Sequence, residues 1–339
     1  MMIFLPYYPS RVFARRFPAC FFFVIWLCSC TTAPQYKELL HSPPAQLPKR
    51  MQLTDVPFYP QEEYQCGPAA LATVLNASGV TVTPGELVDK VYIPSRRGSL
   101  QVEMMAAARQ YQRIPYQIEP SLQSLLEEVA RGRPVLVLQN LGLSWYPQWH
   151  YAAVAGYDLE QARLTLRSGT HERLRTKFRV FENTWRRGDY WALVLLKPGE
   201  LPVHTEEQAY FLAVAAFAKN GLPGLVEQAY LSGLEKWPES LTLQFGLANH
   251  YYLQRRWEAA QSAYIKVLQL DPEYGPAHNN LAQLLFEQQA LESAVAHAQQ
   301  AVALGGEFSG EYEATLKMIR AAIEERDEQG INEAIVLPR

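Results

Sequence analysis

An α+β domain followed by an all-α repeat domain is the fold this sequence predicts, on three observations. Between Met51 and Pro198, apolar stretches of helical period come first and short runs of strand character follow, which is the order of an α+β arrangement. From about His204 the pattern is continuous helix recurring every 34 residues. The chain has 339 residues, 48% of them hydrophobic, enough for two cores.

The first stretch reads as an export signal. Arg11, Arg15 and Arg16 precede "FPACFFFVIWL", an apolar run too short for a stable spanning helix, closed by "LCSC". That tetrapeptide, Leu27 to Cys30, resembles a bacterial lipobox, in which cleavage precedes the last cysteine and lipid is attached to it. Cys28 departs from the usual small residue there, and the other reading is an ordinary signal peptide with cysteines in its apolar run. The resemblance implies a signal over 1–29 and lipidation of Cys30. Thr31 and Thr32 follow with no aspartate, which in Gram-negative lipoproteins looks like an address to the outer membrane, on its periplasmic face. Residues 30–50 carry four prolines and no sustained period, the composition of a tether.

In the α+β domain, 51–198, helical stretches at 67–78, 99–112 and 121–131 are followed by "PVLVLQN", "HYAAVAGYD", "ARLTLRS" and "DYWALVLLKP". Beyond it, Pro238 and Pro272, Leu247 and Leu281, Ala248 and Ala282, and Ala260 and Ala294 are each 34 apart, and Val226, Tyr230 and Leu234 stand one period before Ala260, Tyr264 and Leu268. This spacing resembles tetratricopeptide repeats, three of them within 199–305, with Val226 and Gly233 marking an atypical first repeat. Residues 306–339 hold a cap helix and a tail.

The cysteines frame the chemistry. Cys20, Cys28 and Cys30 fall in the N-terminal stretch, so Cys66 is the one thiol in a region able to fold as a soluble domain. In "YQCGPAALATVL" Pro68 suits a first helical turn, which puts Cys66 at or just before the helix N-cap. Unpaired N–H groups there favour a thiolate and lower its pKa from the reference of about 8.5. Gly67 leaves room for a substrate carbonyl, and Gln61, five residues upstream, is placed to give a second oxyanion donor. A half-buried inert cysteine is the competing reading. Of seven histidines, His41 is in the tether, His204, His250, His278 and His297 are in the repeat region, and His171 sits in a polar loop. His150, opening an apolar strand, remains as the partner for Cys66, or as a structural residue.

"DVPFYPQEEYQCGPAAL", followed by "HYAAVAGYD", resembles the bacteriocin-leader-processing cysteine peptidases and their free-standing relatives. The resemblance covers roughly residues 51–198. It implies a papain-like fold, with Gln61 as oxyanion glutamine, Cys66 as nucleophile and His150 as base. Such peptidases carry an Asp-Pro after the next strand, where this chain reads "LTLRSGT". Asp158 lies eight residues along the same strand as His150, about 26 Å away and out of reach. With a hairpin turn at 158–162, Ser168 falls opposite Ala152, one diagonal step from His150. It, or a backbone carbonyl near it, is the expected orienting group, although a plain strand-end serine fits as well.

A formal charge of −3 gives no reason to expect a nucleic-acid partner or a polybasic membrane contact. The histidines are dispersed, so neither metal nor cofactor is expected. No later apolar run is long enough to span a membrane, which leaves the lipid anchor as the expected membrane contact. The expected activity is that of an exported, lipid-anchored cysteine peptidase. By resemblance it cuts a peptide or protein segment after small residues, and the repeats recruit substrate or a protein partner. Trp145, Tyr146 and Trp149 either narrow the cleft or pack in the core. Two alternatives stand beside this: an inactive scaffold that holds a peptide, and another papain-fold acyl transfer, amidase or transpeptidase.

Overall fold

Pro34 supplies a preset helical φ at the start of α1 (Pro34–His41). The computed structural model describes residues 33–42, 44–61 and 65–336, with side chains as far as 326. Residues 1–32, which include Cys20, Cys28 and Cys30, lie outside the described residues. From Ala33 onward the expected tether is folded structure. Both oxygens of the buried Glu182 carboxylate accept N–H bonds from the first turn of α1, from Gln35 at 3.0 Å and Tyr36 at 2.7 Å. Leu39 enters the core and Tyr36 meets Phe178 edge-on. Proline content suggested a tether; paired backbone donors and a buried leucine override it.

β1 (Arg50–Gln52) leads through an extended segment to α2 (Cys66–Ala77), then α3 (Pro84–Val91), β2 (Tyr92–Ile93), a 3-10 turn at Pro94–Arg96, β3 (Gly98–Ser99) and α4 (Gln101–Gln110). "TPGE" at the start of α3 forms a capping box: Thr83 Oγ1 accepts from the Glu86 N–H, and Glu86 Oε2 accepts from the Thr83 N–H. β4 (Ile114–Gln117), α5 (Leu122–Ala130), β5 (Val135–Asn140), β6 (Trp149–Asp158), β7 (Arg163–Ser168), β8 (His171–Lys177), α6 (Phe178–Arg186) and β9 (Ala192–Leu196) complete the domain. The described strands form a seven-stranded antiparallel sheet in the order β4-β9-β5-β6-β7-β8, with β1 on the second half of β6. β2 and β3 pair separately as a small flap.

Helices cover both faces of the central strands. On one face Leu71, Leu75, Leu87 and Met104 pack on Leu136, Tyr151 and Leu193. On the other Leu125, Val129, Phe181 and Trp185 pack on Val135, Val137, Val154 and Val194. This accounts for the unbroken apolar runs in β5 and β9, since a strand buried on both faces has no polar alternation.

Then come three helix pairs: α7 (Glu207–Ala218) with α8 (Pro223–Lys236), α9 (Leu241–Leu253) with α10 (Trp257–Leu270), and α11 (Gly275–Glu287) with α12 (Leu291–Leu304), followed by α13 (Ser309–Val336). α7, α9, α11 and α13 begin at 207, 241, 275 and 309, and α8, α10 and α12 at 223, 257 and 291, so every step is 34 residues. α13, expected as a cap, thus occupies the first-helix position of a fourth period. A Cβ on Gly233 would lie 2.8 Å from the Tyr210 ring, and one on Gly246 2.6 Å from that of Tyr230, so in both places an aromatic fills what the glycine leaves open.

The first pair shares the core of the sheet. Tyr210, Val214, Phe217 and Tyr230, with Leu247 of α9 beside them, belong to the same buried cluster as α5, α6 and the strands. His204, expected within the repeat region, binds Glu127 of α5, and the Val203 N–H donates to Glu128 at 2.6 Å.

Candidate active site

Cys66 is the first residue of α2, inside the helix rather than at its cap; Gln65 holds the cap position without a side-chain bond. The first four N–H groups of a helix lack internal partners, so Pro68, third in the helix, costs nothing by having none. Those N–H groups do not decide the state of the thiol. Burial pushes Cys66 up from its ordinary value, and the backbone N–H groups of Tyr151, Gly67 and Cys66 only partly oppose it. The expected depressed pKa is therefore corrected: desolvation outweighs the helix terminus.

Gly67 plays a different part from the one expected. A Cβ there would lie 2.1 Å from Ser99 Oγ, so the glycine makes room for the flap and not for a substrate carbonyl. Ser99 Oγ is buried with no hydrogen-bond partner among the described residues. The Ser99 carbonyl accepts from the Tyr151 hydroxyl at 3.3 Å, which ties the flap to the strand that carries His150.

His150 is the second residue of β6, and its Nε2 lies 2.7 Å from Ser168 Oγ at the end of β7. The hairpin pairs Asp158 with Arg163, one residue off the expected register, and an irregularity between Val154 and Gly156 restores it, so that Ala153 pairs with Arg167 and Ser168 follows beside Ala152. Burial holds the His150 imidazole below its ordinary value. Asp158 is out of reach, paired with Arg50 at 3.1 Å. His171 opens β8 and is exposed.

Gln61 approaches the same place from the segment before α2. Its N–H donates to the Gly169 carbonyl at 3.1 Å and its Nε2 lies 3.5 Å from the Tyr151 carbonyl. Gln61, Cys66 and His150 all line one cavity of about 940 Å³. One wall is the flap, from Arg96 to Gln101, and the other is the β5–β6 hairpin, through Tyr146 and Trp149. Trp145, Tyr146 and Trp149 are exposed, Trp145 by 81%, so they do not pack in the core. The flap wall and Ser99 were missed in sequence; their signal was "IPSRRGSL", a polar turn with Gly98 just ahead of a helical stretch. Among the described residues no cluster of three or more His, Cys, Asp or Glu side chains is placed to hold a metal.

Residues 53–191 match the model of the Peptidase_C39 like family, and the α+β part is accordingly a C39-like, papain-like domain in fold. A putative C39-like peptidase from Bacillus anthracis is similar at 18% identity and a TM-score of 0.38, over 44% of this chain and 98% of its own. Two helical structures are similar to this chain with TM-scores of 0.33. The first TPR of Spaghetti (RPAP3), bound to an HSP90 peptide, is 20% identical over 35% of this chain and 95% of its own. The type III secretion translocator chaperone SycD of Yersinia enterocolitica is 14% identical over 36% of this chain and 90% of its own. Among curated proteins none matches the chain significantly.

Proposed function

We propose that the chain is a cysteine peptidase acting on peptide or protein substrates in the cavity between the flap and the β5–β6 hairpin. One observation carries this: Cys66 at a helix start, Gln61, and His150 with its Nε2 engaged by Ser168 converge on one cavity. With a proton on Nε2, donated to Ser168 Oγ, the free lone pair of His150 is on Nδ1. Because burial favours the uncharged form of both partners, the resting pair is thiol and neutral imidazole. His150 takes the thiol proton as Sγ bonds to the substrate carbonyl carbon. The oxyanion is met by the Cys66 N–H and the Gln61 amide, which turns from the Tyr151 carbonyl. The imidazolium then protonates the leaving amine, the thioester forms, and water, deprotonated by His150, releases the acid and restores the thiol.

In this reading the protein is exported and held by lipid on Cys30 at the periplasmic face of an outer membrane, and the repeats receive a substrate or partner protein. A second reading, an inactive domain that holds a peptide, draws on the raised thiol and on a serine standing where a carboxylate is usual. Mass spectrometry of a peptide mixture incubated with the full-length chain separates the two. New termini that vanish with Cys66→Ser and with His150→Ala support the peptidase; cleavage that persists in Cys66→Ser rules out this nucleophile. Retention of peptides without cleavage supports the inactive domain.

A further inference from the structure

Away from the cleft, the second half of β6 lies between β1 and β7, and its open face carries two rows of side chains in register. Arg50, Asp158, Arg163 and Lys177 form one row; Gln52, Gly156, Thr165 and Arg175 form the next. A Cβ on Gly156 would lie 2.7 Å from the Met51 carbonyl oxygen, so the glycine lets β1 approach and leaves a low floor. Over it is a cavity of about 570 Å³ bordered by Arg50, Arg173 and Arg175.

The charges on this face do not balance. Lys49, Arg50, Arg163, Arg173, Arg175 and Lys177 stand against Asp158 and Glu160, on a chain whose formal charge is −3. Asp158 lies 3.1 Å from Arg50 and 3.9 Å from Arg175, and Glu160 pairs with Lys49 and Arg50. The side chains of Arg163, Arg173 and Lys177 make no ion pair or hydrogen bond among the described residues. Arg163 and Lys177 are direct cross-strand partners, an arrangement in which like charges cost stability. Charge on β8 alone would serve to guard an edge strand. Here the cations reach inward over β7 to β1 and surround a concavity, which edge protection does not require.

We propose that this face binds an acidic polypeptide segment in extended conformation. Arginine forks pair with carboxylates in bidentate geometry; Arg173 and Arg175 border the cavity, and Arg175 there donates one N–H to Gln161 at 3.0 Å and keeps the rest of its fork for a ligand. The rows are two residues apart along the strands, about 6.6 Å, which is also the spacing of alternate side chains in an extended acidic chain. Thr165 lies three residues along β7 from Ser168, roughly 10 Å, so the face is near the cleft yet separate from it. The proposal therefore stands whether or not Cys66 is a nucleophile.

Fluorescein-labelled hexaglutamate, followed by anisotropy against the full-length chain, is the test. The expected result is binding that weakens with salt, is absent for hexalysine, and falls at least about tenfold in the Arg173→Glu, Arg175→Glu variant. The Arg173→Gln, Arg175→Gln variant is expected to show a smaller loss, with Cys66 alkylation at the wild-type rate in both variants as a check on folding. No binding of hexaglutamate, or equal binding by the charge-reversed variant, overturns the proposal. So does equal competition by inorganic phosphate, which would reduce the face to a phosphate site. Binding of phosphatidylglycerol vesicles through the same arginines without competition from hexaglutamate would make it a lipid contact instead.

Discussion

At the residue scale, the Ser168 hydroxyl is what distinguishes this site from one with a carboxylate behind the histidine. A hydrogen bond to the imidazolium that forms during attack contributes about 1.5–3 kcal/mol, so Ser168→Ala is expected to lower kcat roughly tenfold or more with KM little changed. Ser168→Asp should raise the imidazole pKa and move the acid limb of the rate profile to higher pH, which a merely structural serine would not do. The same burial gives a stability profile with two edges. His150 is held neutral below its ordinary value, so stability is lost as pH falls below about 6.5, and His150→Gln should flatten that loss. Cys66 is held above its ordinary value, so stability is lost as pH rises past about 8.5, and Cys66→Ser should flatten that edge in urea melts. Cys66 and His150 were legible because helix-start chemistry and strand character are local signals, whereas Ser168 comes beside His150 through an irregularity between Val154 and Gly156 that offsets a hairpin register one residue from the expected one, which no local rule gives. The direction of the thiol shift was not, because burial of Cys66 comes from strands and a flap distant in sequence.

At the element scale, the flap and α2 fit through one missing Cβ. Gly67→Ala is expected to cost roughly 1–3 kcal/mol by forcing Ser99 aside, and adding Ser99→Gly should restore most of it, a coupling read from thermal melts of the two single variants and the pair. α1 depends on another single group. Glu182→Ala removes the acceptor of two N–H bonds, and hydrogen exchange should show residues 34–41 losing protection while β5 and β9 keep theirs. The helices at 67–78, 99–112 and 121–131 and the four apolar strand runs were readable from period and length. β8 was not, since "HERLRTK" exposes charge on most of its length and resembles a loop. α1 was hidden by prolines whose effect depends on Glu182, far along the chain.

At the scale of the whole molecule, the sheet and the first helix pair share one core, joined by Glu127 with His204 and by Glu128 with Val203. Calorimetry is therefore expected to show the C39-like domain and the first pair melting in one transition; an early, separate melt of α7 and α8 would contradict a shared core. The 34-residue period was plain in sequence, but this junction was not, because Tyr210, Phe217 and Tyr230 read equally well as aromatics packed within repeats. The central claim is that Cys66 and His150 act as a pair within the cleft. Its most direct measurement is the rate of Cys66 alkylation by iodoacetamide across pH, in the full-length chain and in His150→Ala. The account predicts that at neutral pH the wild type reacts about tenfold faster or more, with His150 accepting the thiol proton, and that both rates climb toward a midpoint above about 8.5. Equal rates at every pH would show that His150 does not serve Cys66 and would contradict the account.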